Sequence, residues 1–121
     1  MDKRVMIIDA HPVYAPKINA FLEGLTFKNI EIVDKSKDVF DRVRIFKPDV
    51  IILSAMLPDI DSVDILKLIR TQLPFVSVIV QTGLLTDAGR CLALKEAGAS
   101  SVIPRLEKDL IPLQKAIEAV I

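Results

Sequence analysis

Five short apolar runs punctuate the chain, at residues 5–8, 30–33, 50–53, 76–80 and 102–103. They are rich in Val and Ile, and turn or charged residues bound them. Runs of this kind, interrupted only by Glu31 and Ser77, predict strands covered on both faces. Longer stretches between them carry helical spacing. Ile18, Phe21, Leu22 and Leu25 recur at i, i+3, i+4 and i+7. Val39, Phe40, Val43 and Phe46, at i, i+1, i+4 and i+7, also share a helical face behind Ser36, which reads as an N-cap. Ile65, Leu66 and Ile69 follow Asp61 and Ser62. Cys91, Leu92, Leu94 and Lys95 precede Gly98, a helix-ending glycine by position. Leu110, Leu113, Ile117 and Val120 close the chain. Strand then helix, five times over, predicts an α/β fold. It is a doubly wound five-stranded parallel sheet between two layers of helices, five in all. Ligands of such sheets sit at the carboxyl ends of the strands. The residues there are Asp9–Ala10–His11, Ser54–Ala55, Gln81–Thr82–Gly83 and Pro104–Arg105.

Composition narrows the classes. The 121 residues are 51% apolar and 26% charged, which excludes a disordered chain and predicts one domain over 1–121. Lys+Arg and Asp+Glu both number 16, so no surplus of cations exists to neutralise a nucleic-acid backbone. Cys91 is the single cysteine and His11 the single histidine, which excludes a disulfide within the chain and metal cages built on several of either. The charged start and its four-residue apolar run are too short for a secretory signal, and no apolar run approaches a membrane span. The expectation is a soluble cytoplasmic protein.

The strand ends carry no G-x-G-x-x-G, no P-loop and no G-x-S-x-G. His11, followed directly by Pro12, reads as a loop or N-cap residue rather than a base. No enzyme activity is expected. The strand-end motifs do resemble those of bacterial response regulator receiver domains, the chemotaxis-regulator-like fold, over nearly the whole chain. Ile7-Ile8-Asp9-Ala10-His11-Pro12 resembles the family's hydrophobics followed by Asp-Asp-His-Pro. The stretch from Pro48 and Asp49 through Ser54, Met56, Leu57, Pro58, Asp59 and Asp61 to Ser62 resembles its third strand and following loop. Val78-Ile79-Val80-Gln81-Thr82-Gly83 resembles its fourth strand. Gly98-Ala99-Ser100-Ser101-Val102-Ile103-Pro104-Arg105 resembles the fifth-strand motif that ends in Lys.

Carried over residue by residue, the resemblance implies a degenerate phosphorylation pocket of Asp9, Ala10, Ser54, Thr82 and Arg105. Ser54 stands where the family has its phosphoacceptor Asp. Ala10 stands where it has its second metal-binding acid, Arg105 where it has Lys, Val102 where it has a switch aromatic, and Ser62 where it has a loop Gly. Only Asp9 and Thr82 match. Phosphoryl transfer in such a site depends on charge stabilisation by a metal held on carboxylates, so this pocket is expected to be silent and to have lost Mg²⁺. The implied function is a pseudo-receiver in signal transduction, acting by phosphorylation-independent protein–protein contact. Its partner is a second copy or a signalling or output protein, and the chain is read as the N-terminal part of a transcriptional regulator. This domain itself would touch no nucleic acid and no membrane.

Two readings of several residues stand side by side. Arg105 pairs with Asp9 in place of the metal, the favoured reading, or joins Thr82 and Asp9 in holding a small anion or metabolite. Ser54 fills the space of an acid or accepts phosphate itself. Asp59 and Asp61 are loop and cap residues or replacement metal ligands. Leu57, Leu84 and Leu85 form an apolar interaction rim or fold inward. Cys91 is expected in the core. Pro16 predicts a late start of the first helix and a longer loop beside the pocket.

Overall fold

A computed structural model describes residues 2–83, 87–106 and 108–121. The strands are β1 (Arg4–Ile8), β2 (Asn29–Val33), β3 (Val50–Ser54), β4 (Ser77–Thr82) and β5 (Ser101–Pro104). The helices are α1 (Tyr14–Gly24), α2 (Ser36–Phe46), α3 (Ser62–Gln72), α4 (Ala88–Glu96) and α5 (Ile111–Glu118). All pairings are parallel, in the order β2-β1-β3-β4-β5. The five-stranded, doubly wound architecture expected from the apolar pattern is the one observed.

Each apolar run divides between two cores because successive side chains of a strand point to opposite faces. Val5 and Ile7 of β1, Val50 and Ile52 of β3 and Ile79 of β4 pack with Ile18 and Leu22 of α1 and Leu113 and Ile117 of α5. Met6, Ile8, Ile51, Leu53, Val78 and Val80 face the other way, onto Val39 and Val43 of α2, Ile65, Leu66 and Ile69 of α3, and Leu94 of α4. Burying one such side chain contributes about 1.5–3 kcal/mol. Removing one leaves a cavity in a close-packed layer.

Several local expectations change. Helix α1 starts at Tyr14, with Pro16 inside its first turn, where a missing N–H costs nothing. The late start does not occur. His11 makes the early start work: its Nδ1 accepts the backbone N–H groups of Val13 (3.2 Å) and Tyr14 (3.0 Å). Ser36 is the first residue of α2 rather than its cap; Lys35 holds the cap position, and the Ser36 hydroxyl donates to Asp59 at 2.5 Å. Asp61 does cap α3, accepting the Val63 N–H at 2.8 Å. Cys91 is only half-buried, because Leu94 is the residue of α4 that meets the core. Phe40 and Leu92 lie on the solvent side of their helices.

Gly98 ends the α4 turn with φ +115°, a backbone conformation that favours glycine. Its carbonyl accepts from Arg70 Nε at 3.0 Å and Nη2 at 2.5 Å. Arg70 Nη1 also reaches the carbonyls of Leu73, Pro74 and Val76. One guanidinium from the end of α3 thus ties together the chain entering β4 and the chain leaving α4. Burial pushes that guanidinium below the usual arginine pKa.

Candidate functional site

The order in which the chain adds strands reverses between β1 and β3, so the crevice opens above the ends of those strands. Asp9 follows β1 and Ser54 ends β3, and both are buried. They continue the alternation that points Ile7 and Ile52 toward α1 and α5. Gln81 of β4, beyond Ile79, has the same parity, as does Arg105 beyond Ile103. Four polar groups therefore gather on one side of one sheet end, each placed by strand periodicity.

Arg105 must cross from an edge strand. β5 and β1 are separated by β3 and β4, a span of about 14 Å at ordinary strand spacing. Its backbone N–H is fixed by the Thr82 carbonyl at 3.0 Å, and the long side chain leans inward. Nη1 donates to Asp9 Oδ2 at 2.6 Å and Nη2 to Asp9 Oδ1 at 3.1 Å, a two-point pair. Nη1 also lies 3.4 Å from the Ser54 hydroxyl oxygen. The side chains are 13% and 3% exposed, so the pair is removed from bulk water. Asp9 Oδ1 also accepts the His11 N–H at 2.9 Å. The Ser54 hydroxyl accepts the Met56 N–H at 3.1 Å, which fixes the loop after β3.

One residue of this site, Tyr14, was not singled out in the sequence, and Gln81 was noted there only for its place at a strand end. Tyr14 lies in the first turn of α1, its ring centroid 4.0 Å from the Arg105 guanidinium carbon. The hydroxyl accepts from Gln81 Nε2 at 3.0 Å and donates to the Leu106 carbonyl at 3.4 Å. A signal was present. Tyr14, Ile18 and Leu22 form one buried stripe, and a buried tyrosine hydroxyl needs a polar partner. Gln81 is likewise an amide at the end of a central apolar strand.

At the rim, Leu57 takes the inward of its two readings and packs, partly buried, on the core beneath α2 and α3. Its neighbour Met56 is exposed instead, at 62%, with its Sδ near Gly83. Leu84 and Leu85 lie outside the described residues. Ala10 is half-buried and offers no donor or acceptor from its side chain. Thr82 is buried. Asp61 and Asp59 are turned to other work. Asp61 receives Arg90 Nη1 and Nη2, each at 3.1 Å, and Arg90 Nη2 also donates to the Ser62 hydroxyl at 2.8 Å. The Arg90 hydrogen bonds, with that from the Val63 backbone, hold the Asp61 carboxyl below the usual aspartate range. Among the described residues, no group of three or more His, Cys, Asp or Glu is placed to hold a metal ion. No helix is long and apolar enough to cross a membrane.

A parallel sheet of this order, with polar strand ends converging above its reversal point, is the framework of a signalling receiver. The family profile of the response regulator receiver domain matches residues 5–116, and the chain belongs to that family. It is 26% identical over 106 residues to the response regulator protein VraR of Staphylococcus saprophyticus, covering 85% of this chain and 49% of that protein. The chain thus spans about half the length of the curated relatives it matches. Among solved structures it resembles the signal receiver domain of a DNA-binding response regulator from Colwellia psychrerythraea. The TM-score is 0.86 and the identity 27%, covering 98% of this chain and 97% of that one. It also superposes on a two-component response regulator of the LuxR family from Aurantimonas, with TM-score 0.85 and 21% identity, over 99% of this chain and 85% of that one.

Proposed function

We propose that this receiver domain signals without aspartyl phosphorylation, by presenting one fixed surface to a partner protein. The observation that carries the reading is the two-point pair between Arg105 and Asp9, which places a permanent cation where receiver chemistry needs an exchangeable one. Mg²⁺ binds through carboxylate oxygens and gives up its waters reluctantly. Asp9, the buried acid of the pocket, has both oxygens on Arg105, and Ala10 and Ser54 add no negative charge. The donor set does not fit the ion. Ser54 is a poor phosphoacceptor for a related reason: no described carboxylate or imidazole near it is available as a base.

The anion-binding alternative asks Arg105 to release Asp9, with a buried carboxylate still facing any incoming anion. The closed pair therefore favours the protein-contact reading. The partner is a second copy of the chain or a signalling or output protein. Curated relatives of twice the length are named response regulators, and similar solved structures include a LuxR-family regulator. On that ground we place this domain in a cytoplasmic regulator of transcription, with DNA contact made outside it.

Intact-mass spectrometry after acetyl phosphate treatment, with thermal melts in Mg²⁺ and beryllofluoride, tests the reading. A ligand that binds only the folded state must raise the melting temperature. The expected result is no adduct and no shift. A phosphoryl adduct that turns over, or a melt raised by Mg²⁺ at millimolar concentration, would overturn it.

A further inference from the structure

We infer that Tyr14 is the positioning residue that holds Arg105 on Asp9, an inference that rests on the ion-pair pocket proposed above. A guanidinium donates hydrogen bonds only at its edge; its two faces are weakly hydrated and stack on aromatic rings. Asp9 and Ser54 meet the edge of Arg105. The Tyr14 ring meets a face, with its centroid 4.0 Å from Cζ.

The ring is itself held at three points. Its backbone N–H is bound by His11 Nδ1, and its hydroxyl bonds both Gln81 and the carbonyl of Leu106. Leu106 is the residue next to Arg105, so Tyr14 grips the side chain and the backbone that carries it. Helix α1, β4 and the segment after β5 meet at this one ring. A flexible arginine spanning from an edge strand loses considerable rotamer freedom when it is pinned. Ring contact on the face limits the geometries open to it before the carboxylate engages. Phenylalanine would keep that face and lose only the hydroxyl anchors. Leucine would keep the apolar volume and lose the face.

Nitrogen-15 NMR of the Arg105 side chain separates these roles, because it reads the guanidinium and not global stability. In the wild type its Nε–H and Nη–H groups should exchange slowly with water. Tyr14→Phe should leave the exchange rate within about threefold, and Tyr14→Leu should raise it at least tenfold with the backbone spectrum elsewhere unchanged. Exchange in Tyr14→Leu equal to the wild type would overturn the assignment, as would a tenfold rise in Tyr14→Phe. Should Tyr14→Leu fail to fold, Tyr14→Phe decides alone by the same criterion. A wild-type melt raised by Mg²⁺ would sink the metal-free reading of the pocket, and is read separately from the Arg105 exchange rates.

Discussion

Arg105 and Asp9 stand 96 residues apart in the chain, yet Arg105 Nη1 lies 2.6 Å from Asp9 Oδ2. Their meeting turns two strand ends that flank the sheet's central strands into a closed clasp. A partly buried guanidinium needs such a partner, and the carboxylate's remaining demand is met by the His11 N–H.

Removing one partner strands the other in a poorly hydrated site. Arg105→Ala should therefore cost about 3 kcal/mol, near the lower end for breaking a buried pair, since the arginine keeps some contact with water. Asp9→Asn should cost a similar amount. The double variant Asp9→Asn/Arg105→Ala should be less destabilised than the sum of the single variants, because neither charge is left alone. Urea unfolding of the four proteins checks this. Additive losses would mean the two side chains are not energetically coupled.

Restoring acids should restore metal dependence. Ala10→Asp/Ser54→Asp places two more carboxylates beside Asp9, with Arg105 alone to offset them. Like charges repel, so stability in EDTA should fall, and Mg²⁺ should return part of it. Melting curves with and without Mg²⁺ read the difference. Identical curves would show that the pocket's geometry, and not only its charge, has departed from metal binding.

Gly98 is the glycine least tolerant of a side chain. Its φ is +115°, and a Cβ would fall 2.6 Å from Arg70 Nε. Gly98→Ala should cost roughly 1–3 kcal/mol from the strained backbone, with more from displacing Arg70. Arg70→Ala should also destabilise, by freeing carbonyls on both sides of the β4 entry. Combining the two should cost less than their sum, because the clash disappears while the φ strain remains. Denaturant titration gives all three values.

The Asp61–Arg90 clamp predicts an acid dependence. Hydrogen bonds from Arg90 and the Val63 backbone lower the Asp61 pKa in the folded state. The unfolded chain therefore takes up the proton first, at about pH 3.9. The stabilisation is present above that value and is lost as pH falls through the lower, folded value. The pair is exposed, so the amount is at most about 1 kcal/mol. Arg90→Ala should flatten this part of the acid limb in stability measured from pH 6 to pH 3. An unchanged limb would place the acid sensitivity elsewhere.

Periodicity alone determined the architecture. Val5 to Ile8, short and bounded by charged residues, read as a strand buried on both faces, and the helical spacing of Ile18, Leu22 and their neighbours pointed to a parallel sheet of five such units. The same reading located Asp9, Ser54, Thr82 and Arg105 at strand ends, because carboxyl-end placement follows from topology. Charge balance made the Arg105–Asp9 pair the favoured of two readings, and the structure shows it; its geometry was not legible, since Arg105 reaches Asp9 across two intervening strands and spacing along the chain carries no record of that distance. Tyr14 was invisible for the same reason: it looks like one more residue of a buried stripe until the fold brings ring, amide and guanidinium together. Leu57 and Met56 show the limit at its smallest scale. The two are adjacent and similarly apolar, and only the turn after Ser54, fixed by its hydroxyl on the Met56 N–H, decides that Leu57 enters the core and Met56 faces water. Local pattern sets the period of a chain, whereas contacts between distant segments depend on packing, which selects among side chains that the pattern leaves equivalent.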